Sequence, residues 1–380
     1  FSNCVPLMIK VGITELHGIA REVMANPPDG IEYVEVKDKK TLLEFFIRSP
    51  AKGVLHYFEG ADCDILEAPL FPILTNKPWI YTPARFSGAT SFNFLGIPIP
   101  PKIKVFLIRK LFERDNFIKL VFKSNAGAST LKSYAKITDR DFLQKVEVVY
   151  PCMRRVDDSL VRYNDGIVNF LFSGDFFLKG GASVVDAFEL LQKEYSHIRL
   201  RVCSSPELRI KNKKLRDLYL RKIEKNNEIV FGPVDREEML EKVLPESDVF
   251  VSPTFQEAFG FAILEASAYG LPVISTNHFA IPEIIEKNVS GFLIDTEHFD
   301  FIKYGKVCVL DDIPMDFHEY MTKEVYSFMR FFIENPSEIK IMGGAGLEIA
   351  RSKFSFENRN KKMKKIYEEG LKGLKREGRC

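Results

Sequence analysis

Residues 247–276 read SDVFVSPTFQEAFGFAILEASAYGLPVIST, and this stretch decides the fold. It opens with an apolar run, SDVFVSP, which ends at a proline and is typical of a buried strand. FAILEASAYG follows as a helix that a glycine closes, and LPVIST is a second apolar run. A strand, a helix and a further strand in this order predict a βαβ unit, in which the two strands are parallel.

The same alternation occupies both halves of the chain. Six β-rich runs come first, at residues 9–13, 31–36, 53–58, 78–82, 118–124 and 146–150. Six more follow, at residues 167–174, 197–203, 228–232, 247–253, 271–276 and 291–295. Most of these runs are continuously apolar, as expected of strands that helices cover on both faces. We therefore predict an α/β protein with two Rossmann-like, doubly wound domains.

A polar stretch, RRVDDSLVRYNDG, separates the two sets of runs and sets the domain boundary. The predicted domains cover residues 1–153 and 154–350. Residues 351–380 are rich in lysine and predict a C-terminal helix with a basic surface. We expect this helix to pack back toward the N-terminal domain.

The composition excludes several classes of protein. The 54 basic and 52 acidic side chains leave a net charge of +2, which provides no overall field for nucleic acid. The six cysteines have no paired spacing, which favours reduced thiols in a cytoplasm over disulfides or a zinc site. No apolar run reaches the length of a membrane span, and the start, FSNCVPLMIK, lacks the layout of a signal peptide. We expect a cytoplasmic protein that binds a small molecule.

Two glutamates flank the start of the central helix. Gly260 has no Cβ, so a ligand can approach the backbone there, where the free N–H groups of a first helical turn favour an anion. Glu257 and Glu265 would lie roughly 12 Å apart along a continuous helix, which is unsuited to a carboxylate dyad of about 5 to 10 Å. They are better placed to bind two ends of one ligand, such as a sugar and a ribose on either side of a diphosphate.

Residues 252–293 resemble the donor-binding signature of the retaining glycosyltransferases of family 4. The resemblance extends to FLFSGDFFLKGGASVVDAFELL at 170–191 and to EIVFGPVDREEMLEKVLPESDVFVSP at 228–253. It implies the GT-B fold, in which two Rossmann-like domains face each other, and an enzyme of carbohydrate biosynthesis. It further implies that an NDP-sugar donor binds in the second domain and an acceptor in the first. The acceptor would be a glycan, a polysaccharide or a lipid-linked sugar, and hexose transfer would need no metal and no cofactor.

The resemblance also implies roles for particular residues. The implied donor-binding residues are Gly174, Lys179, Glu257, Phe259, Gly260, Phe261 and Glu265. Glu265 would bond the ribose hydroxyls, Glu257 would hold the donor sugar, and Lys179 would neutralise the diphosphate. Glu257 and Lys179 are the catalytic candidates, and a fixed cation such as Lys179 stabilises the charge that develops on the leaving group. In the family's mechanism the leaving phosphate helps to deprotonate the acceptor, so no protein nucleophile is expected.

Several positions depart from the family's pattern. Asp175 stands where the family usually has an arginine that binds the diphosphate. Only Gly12 and Gly18 occur where a glycine-rich loop often follows the first strand, and residues 278–280 are bulkier than the family's paired glycines. These departures leave two alternatives open: a GT-B protein that binds nucleotide-sugars with weak or no transfer, and a sugar-nucleotide epimerase. A two-lobed solute-binding protein is disfavoured because the chain shows no signal peptide.

The acceptor-side candidates in the first domain are His56 and Arg85. His56 lies near the end of the run at 53–58, where the family often has a histidine beside the cleft, and a structural role is the alternative. Arg85 lies where the family often has a histidine after the fourth strand. The Asp-x-Asp at 62–64 imitates a metal-binding motif of the other glycosyltransferase fold, but 139–141 repeats it without evident purpose. We expect no metal site.

Residues 91–115, SFNFLGIPIPPKIKVFLIRKLFERD, combine large apolar side chains with five basic ones. Such a segment suits contact with a membrane surface or a lipid-linked acceptor. The alternative is a helix that packs on the sheet with its basic side in water. The expected location is therefore the cytoplasm, either free or at the inner membrane face. The segment at 296–317 resembles an insertion, and the sequence indicates no function for it.

Overall fold

The computed structural model describes residues 8–16, 19–39, 46–48, 56–60, 62–163, 166–297 and 315–376. The chain forms two compact units. The first consists of Phe1–Arg154 together with Phe354–Cys380, and the second is Arg155–Lys353. The insertion-like segment at 296–317 lies mostly outside the described residues.

Both units are built on parallel strands. The strands of the first unit are β1 Ile9–Ile13, β2 Ile31–Glu35, β3 Ile47–Arg48, β4 Ile65–Ala68, β5 Trp79–Tyr81, β6 Asn93–Phe94, β7 Phe117–Phe122 and β8 Val146–Val148. Those of the second unit are β9 Val168–Ser173, β10 Ile198–Cys203, β11 Ile229–Gly232, β12 Val249–Ser252, β13 Val273–Thr276 and β14 Gly291–Ile294.

Helices connect these strands and cover the sheets. The helices are α1 Ala20–Ala25, α2 Pro101–Phe112, α3 Asn125–Ser133, α4 Arg140–Leu143, α5 Gly181–Leu191, α6 Lys213–Glu224, α7 Arg236–Glu238, α8 Phe261–Ala268, α9 Met315–Glu334, α10 Pro336–Lys353 and α11 Phe356–Arg376. Shorter helical turns lie at Phe86–Thr90, Asp158–Leu160, Met239–Val243 and Ile281–Glu283. In the parts of the chain that the structure describes, no helix is both long and apolar enough to cross a membrane.

The sheet of the second unit has the strand order β11-β10-β9-β12-β13-β14, and every neighbouring pair is parallel. Counted within the unit, this is the order 3-2-1-4-5-6 of a Rossmann fold. All six strands lie within the runs that the sequence predicted. Parallel strands buried on both faces explain why these runs carry few polar residues.

The sheet of the first unit has the order β2-β1-β4-β5-β7-β8, again with parallel pairs. Strands β3 and β6 form a separate antiparallel pair. Together the two six-stranded sheets confirm the predicted fold class of two Rossmann-like, doubly wound domains. In sheets of this kind, ligands bind beyond the carboxyl ends of the strands.

One predicted strand, at 53–58, is not found in the part of its run that the structure describes. Residues 53–55 lie outside the described residues, and of His56–Phe58 only Tyr57 pairs in β fashion, through isolated bridges. The strand between β1 and β5 is instead β4, whose four residues are all buried. Its sequence, ILEA, escaped detection because Glu67 interrupts a short apolar run. The charge of Glu67 is compatible with burial only because distant residues provide partners for it.

The C-terminal helix α11 supplies those partners. Arg359 lies 3.8 Å from the Glu67 carboxylate, and the Tyr367 hydroxyl donates a hydrogen bond to it. Tyr33 of β2 joins the cluster, because its hydroxyl lies 3.1 Å from that of Tyr367 and accepts a bond from Arg359. A buried polar cluster therefore fastens α11 to the sheet of the first unit.

Candidate functional site

The loop between β12 and α8 ends in a glycine that sets the direction of the helix. Gly260 has a φ of +112°, and α8 begins at the next residue. A Cβ at this position would lie 3.1 Å from the Ile284 side chain, so both the backbone angle and the space favour glycine. Phe259 is buried before it, and the Phe259 and Phe261 rings lie 5.2 Å apart. The free N–H groups of α8 are thus placed beyond the carboxyl end of β12.

Glu257 of this loop forms an ion pair with Lys179, which follows β9. Lys179 Nζ lies 2.6 Å from Glu257 Oε2 and donates a second bond to the Gln256 carbonyl at 2.8 Å. Only 20% of the Lys179 side chain and 18% of the Glu257 side chain are exposed. The structure therefore brings together two residues that are 78 positions apart and that the sequence assigned to one site.

Two glycines shape the turn that carries Lys179. Gly174 has a φ of +131° and packs against the aliphatic part of Lys179. Gly180 has a φ of +79°, and a Cβ there would overlap the Pro253 carbonyl. The backbone at Gly180 therefore approaches the β12 loop more closely than it could if this position carried a side chain. Asp175 accepts a bond from the Leu178 N–H at 3.0 Å, so its carboxylate stabilises the turn.

Glu265 lies in the second turn of α8 and is paired with Arg236. Arg236 Nη1 donates to Glu265 Oε2 at 2.7 Å, and Arg236 Nη2 lies 2.6 Å from Glu265 Oε1. The Glu265 side chain is 10% exposed, whereas that of Arg236 is 54% exposed. The sequence analysis missed Arg236, because an arginine among the acidic residues of DREE resembles ordinary surface charge. The available signal was its position after β11, at the carboxyl edge of the predicted sheet.

The two acceptor-side candidates of the first unit differ in their position relative to its six-stranded sheet. His56 Nδ1 lies 2.8 Å from Asp38 Oδ2, outside the six-stranded sheet, so its predicted place at a strand end is wrong. Arg85 follows β5 and directly precedes the helical turn Phe86–Thr90. It therefore lies at the carboxyl edge of the sheet.

Two further ionisable residues at this edge were missed. Glu15 follows β1, and its Oε2 accepts bonds from the Leu70 and Phe71 N–H groups at 3.1 and 3.4 Å. Lys123 directly follows β7. Burial raises the pKa of Glu15 to about 7 and lowers the pKa of Lys123. In the sequence, only their positions marked them: Glu15 follows the predicted run at 9–13, and Lys123 lies near the end of the predicted run at 118–124.

In the ranges that the structure describes, no group of three or more histidine, cysteine, aspartate or glutamate residues is arranged to hold a metal ion. Asp64, in the Asp-x-Asp at 62–64, accepts a bond from the Lys10 N–H at 2.8 Å.

Comparisons with known proteins agree with this geometry. Residues 168–303 match the sequence model of the family described as glycosyl transferases group 1. An uncharacterized 41.2 kDa protein in the cps region of Klebsiella pneumoniae is 41% identical over 76 residues, which are 20% of this chain and 21% of that protein. The amylovoran biosynthesis glycosyltransferase AmsK of Erwinia amylovora is 44% identical over 63 residues, 15% of this chain and 16% of AmsK. The matched segments thus span about a fifth or less of these relatives.

Solved structures resemble the whole chain. A glycosyltransferase from Rickettsia africae superposes with a TM-score of 0.62 at 17% identity, covering 96% of this chain and 99% of that one. HepE of Anabaena, solved with UDP and glucose, has a TM-score of 0.59 at 12% identity and covers 95% of this chain and 100% of its own. Residues 168–303 are therefore similar to the glycosyl transferases group 1 family, and the chain as a whole shares the two-domain GT-B fold of these solved structures.

Proposed function

We propose that this protein is a retaining glycosyltransferase that moves a hexose from an NDP-sugar to a glycan, polysaccharide or glycolipid acceptor without a metal. The observation that carries the proposal is the sequence of groups beyond the carboxyl end of β12. Glu257, the N-terminus of α8 and the carboxylate of Glu265 follow one another along the chain there, and Lys179 is paired with Glu257. Glu257 is suited to the sugar of a nucleotide-sugar, the α8 N-terminus and Lys179 are suited to its diphosphate, and Glu265 is suited to its ribose. The family match of residues 168–303 supports the same conclusion.

The diphosphate requires positive charge at a fixed place. Lys179 provides a cation, and its bonds to Glu257 and to the Gln256 carbonyl hold the ammonium group in one position. The N–H groups at the start of α8 add a partial positive charge. Preorganised groups of this kind stabilise the charge of a departing phosphate without further rearrangement. Two sources of positive charge would thus replace the metal ion that other diphosphate sites use.

The proposed reaction exchanges one bond of the sugar for another. The bond between the sugar C1 and the diphosphate oxygen breaks, and a bond between C1 and the acceptor hydroxyl oxygen forms on the same face. The acceptor proton passes to an oxygen of the departing diphosphate. Glu257 would bind sugar hydroxyls through its carboxylate oxygens, and no protein residue forms a covalent intermediate.

The experiment is a ligand panel without added metal. UDP, GDP, ADP, dTDP and their common sugar conjugates are tested by thermal shift on the wild type, on Glu265→Gln and on the control Glu238→Gln. A nucleotide at 100 times its Kd stabilises the folded state by about 2.7 kcal/mol. We expect stabilisation by one nucleotide family, weakened in Glu265→Gln and unchanged in Glu238→Gln, since Glu238 pairs instead with Arg201. Binding that requires added metal, or no binding at all, would contradict the proposal.

Product stereochemistry tests the remaining part. With the identified donor and a panel of sugar acceptors, proton NMR of the product gives the configuration at C1. Retention is expected, and inversion would exclude the proposed reaction. A new bond from C1 to an acceptor also separates transfer from epimerisation, which changes the donor alone.

A second candidate is a nucleotide-sugar-binding protein that does not transfer. Asp175 favours it, because a carboxylate occupies the position of the expected arginine and is committed to the Leu178 N–H. The two candidates differ in turnover. Slow hydrolysis of the bound donor, measured as released nucleoside diphosphate, supports the transferase, whereas binding without any release supports the second candidate.

We also propose that the first unit contacts an anionic membrane surface through residues 91–115, so that the protein works in the cytoplasm at the inner membrane face. Large apolar side chains are exposed here, each by at least 42%. They are Phe94, Leu95, Ile97, Ile103, Phe106 and Leu107 of this segment, together with Phe46, whose ring stacks on that of Phe94. On α2 the buried residues Ile108, Leu111 and Phe112 lie on one face. The apolar residues on the opposite face therefore cover no core.

The charge of α2 favours lipid over a protein partner. The helix carries four basic side chains and no acidic one, and its Lys110 lies 5.9 Å from the Phe106 ring. An exposed apolar stripe beside lysines is suited to the headgroup region of an anionic bilayer. Each basic residue near such a surface contributes about 1 kcal/mol.

Vesicle sedimentation tests this contact. The wild type is expected to bind vesicles that contain phosphatidylglycerol and to bind pure phosphatidylcholine weakly. Phe106→Ser with Leu107→Ser should reduce binding at least tenfold. The matched control is Leu190→Ser with Leu218→Ser, which removes two apolar side chains of the second unit that are 42% and 40% exposed. An equal loss of vesicle binding in both double variants would contradict the proposed membrane contact. Binding to a protein partner that the α2 changes leave intact would contradict it as well.

A further inference from the structure

Arg236, which follows β11, forms an ion pair with Glu265 of α8 in the second unit. Arg236 Nη1 donates a hydrogen bond to Glu265 Oε2 at 2.7 Å, and Arg236 Nη2 lies 2.6 Å from Oε1. This second contact is not aligned as a hydrogen bond, so among the described residues the buried Oε1 has no hydrogen-bond partner. A charge-assisted bond to one oxygen and a cation close to the other restrict the rotation of the carboxylate. The pair therefore determines the direction in which the open acceptor sites of Glu265 point.

The two residues come from separated parts of the sheet. Arg236 begins α7, four residues after the edge strand β11, and the Asp235 carboxylate caps that helix by accepting the Glu238 N–H at 2.8 Å. Glu265 belongs to α8, which follows β12. Strands β10 and β9 lie between β11 and β12. The loop after β11 must therefore cross the carboxyl ends of these strands to reach Glu265.

Burial gives the pair its physical importance. A carboxylate that is 10% exposed has lost most of its water, and its charge is costly without a partner. Arg236 provides that partner. A carboxylate has about four acceptor sites, and the hydrogen bond from Arg236 occupies one of them on Oε2. The sites of the buried Oε1 accept no hydrogen bond within the described residues, so they are open to hydroxyl donors and are held at a fixed angle.

We propose that Arg236 is a positioning residue, which orients Glu265 to accept the two hydroxyls of a ribose and thereby selects ribonucleoside diphosphates over 2′-deoxy forms. This inference rests on the proposed function and names its substrate class more narrowly. The pair requires an arginine at position 236. A lysine supplies the positive charge but lacks the two coplanar guanidinium nitrogens that approach both carboxylate oxygens. A ribose presents two adjacent hydroxyls to the oriented carboxylate. A 2′-deoxyribose presents only one and leaves an acceptor of Glu265 without a donor.

Calorimetric titration with matched pairs of ligands tests the inference. The wild type is titrated with UDP and 2′-deoxy-UDP, and likewise with the ribo and deoxy forms of GDP and ADP. We expect a preference for the ribo form of at least tenfold. Arg236→Gln should weaken ribonucleotide binding at least tenfold and deoxynucleotide binding much less, so that the preference disappears. Arg236→Lys should keep part of it.

A matched control separates positioning from general loss of charge. Arg201→Gln removes the same charge from a neighbouring pair, in which Arg201 lies 3.1 Å from Glu238. It should leave both affinities unchanged. Circular dichroism verifies the fold of each variant, and Arg236→Lys provides the same readout if Arg236→Gln does not fold.

The outcomes distinguish this inference from the function on which it rests. If the wild type binds no nucleoside diphosphate, the proposed function fails and takes the inference with it. If the wild type binds but Arg236→Gln retains the ribo preference, only the inference fails. Equal weakening of both forms, or tighter binding by Arg236→Gln, would likewise overturn it, since neither result is expected of a residue that orients Glu265.

Discussion

Lys179 Nζ lies 2.6 Å from Glu257 Oε2, although the two residues follow different strands of the second unit. The pair holds the ammonium group of Lys179 at the loop that precedes α8, and both partners are largely shielded from water. Shielding strengthens electrostatic interactions, so a departing anion would experience a strong and fixed field. This relationship connects the fold to the proposed chemistry.

Removal of this cation should affect turnover more than folding. Lys179→Met keeps much of the side-chain volume and removes the charge. We expect kcat to fall about 10²- to 10³-fold, which is the typical loss when one preorganised group for transition-state charge is removed. Steady-state kinetics with the identified donor measures the change. Lys193→Met is the control, because Lys193 is exposed on the surface of the same unit. A change confined to KM would show that Lys179 contributes binding alone.

The close approach of the Lys179 turn to the β12 loop depends on Gly180. Gly180→Ala adds a Cβ that overlaps the Pro253 carbonyl at a φ of +79°. The loops must separate or the backbone must strain, at a cost of about 1 to 3 kcal/mol in the free energy of unfolding. We expect a lower thermal midpoint and weaker nucleotide binding. Gly344→Ala is the matched control, since a Cβ on that helix meets no atom within 4 Å and should stabilise by about 0.5 to 1 kcal/mol. Similar losses in both variants would contradict the role given to Gly180.

Glu15 should make stability depend on pH near neutrality. Burial raises its pKa from 4.5 to about 7, so the folded state binds the proton more tightly than the unfolded state. The contribution is fully present below pH 4.5 and is lost as the pH rises through about 7, with a total of about 3 kcal/mol. Urea unfolding of the wild type and of Glu15→Gln at several pH values measures it. The difference in stability between the two should change across this window, and parallel curves would contradict the expectation.

The attachment of α11 should depend on the ionic cluster of the first unit. Arg359→Leu removes the cation beside Glu67 and leaves a carboxylate that is 5% exposed without its charge partner. Loss of one partner of a buried pair typically costs about 3 to 5 kcal/mol. Chemical unfolding measures the loss. Lys365→Leu on the same helix breaks only an exposed pair with Glu369 and should cost no more than about 1 kcal/mol. Equal effects would show that Glu67 is stabilised without Arg359, by hydroxyl donors such as Tyr367 and Thr82.

Local sequence patterns predicted most of the fold. All six strands of the second unit, the helix after Gly260 and the loop that carries Glu257 follow from apolar runs and glycines a few residues apart. These patterns report burial on both faces and special backbone angles, which a chain segment reveals without its partners. Five strands of the first sheet were found in the same way.

Only the tertiary structure decided which charges meet. Strand β4 was missed because its Glu67 is buried beside Arg359 and accepts a hydrogen bond from Tyr367, which is 300 positions away. Arg236 was missed because its partner Glu265 lies 29 positions further along the chain and follows a different strand. The spacing of hydrophobic residues is a local property of the sequence. The partner of a buried charge depends instead on the order of the strands in the sheet, because that order determines which strand ends lie side by side. The sequence therefore determined the layers of strands and helices and the loop that carries Glu257. The three-dimensional fold determined which partners orient the carboxylates.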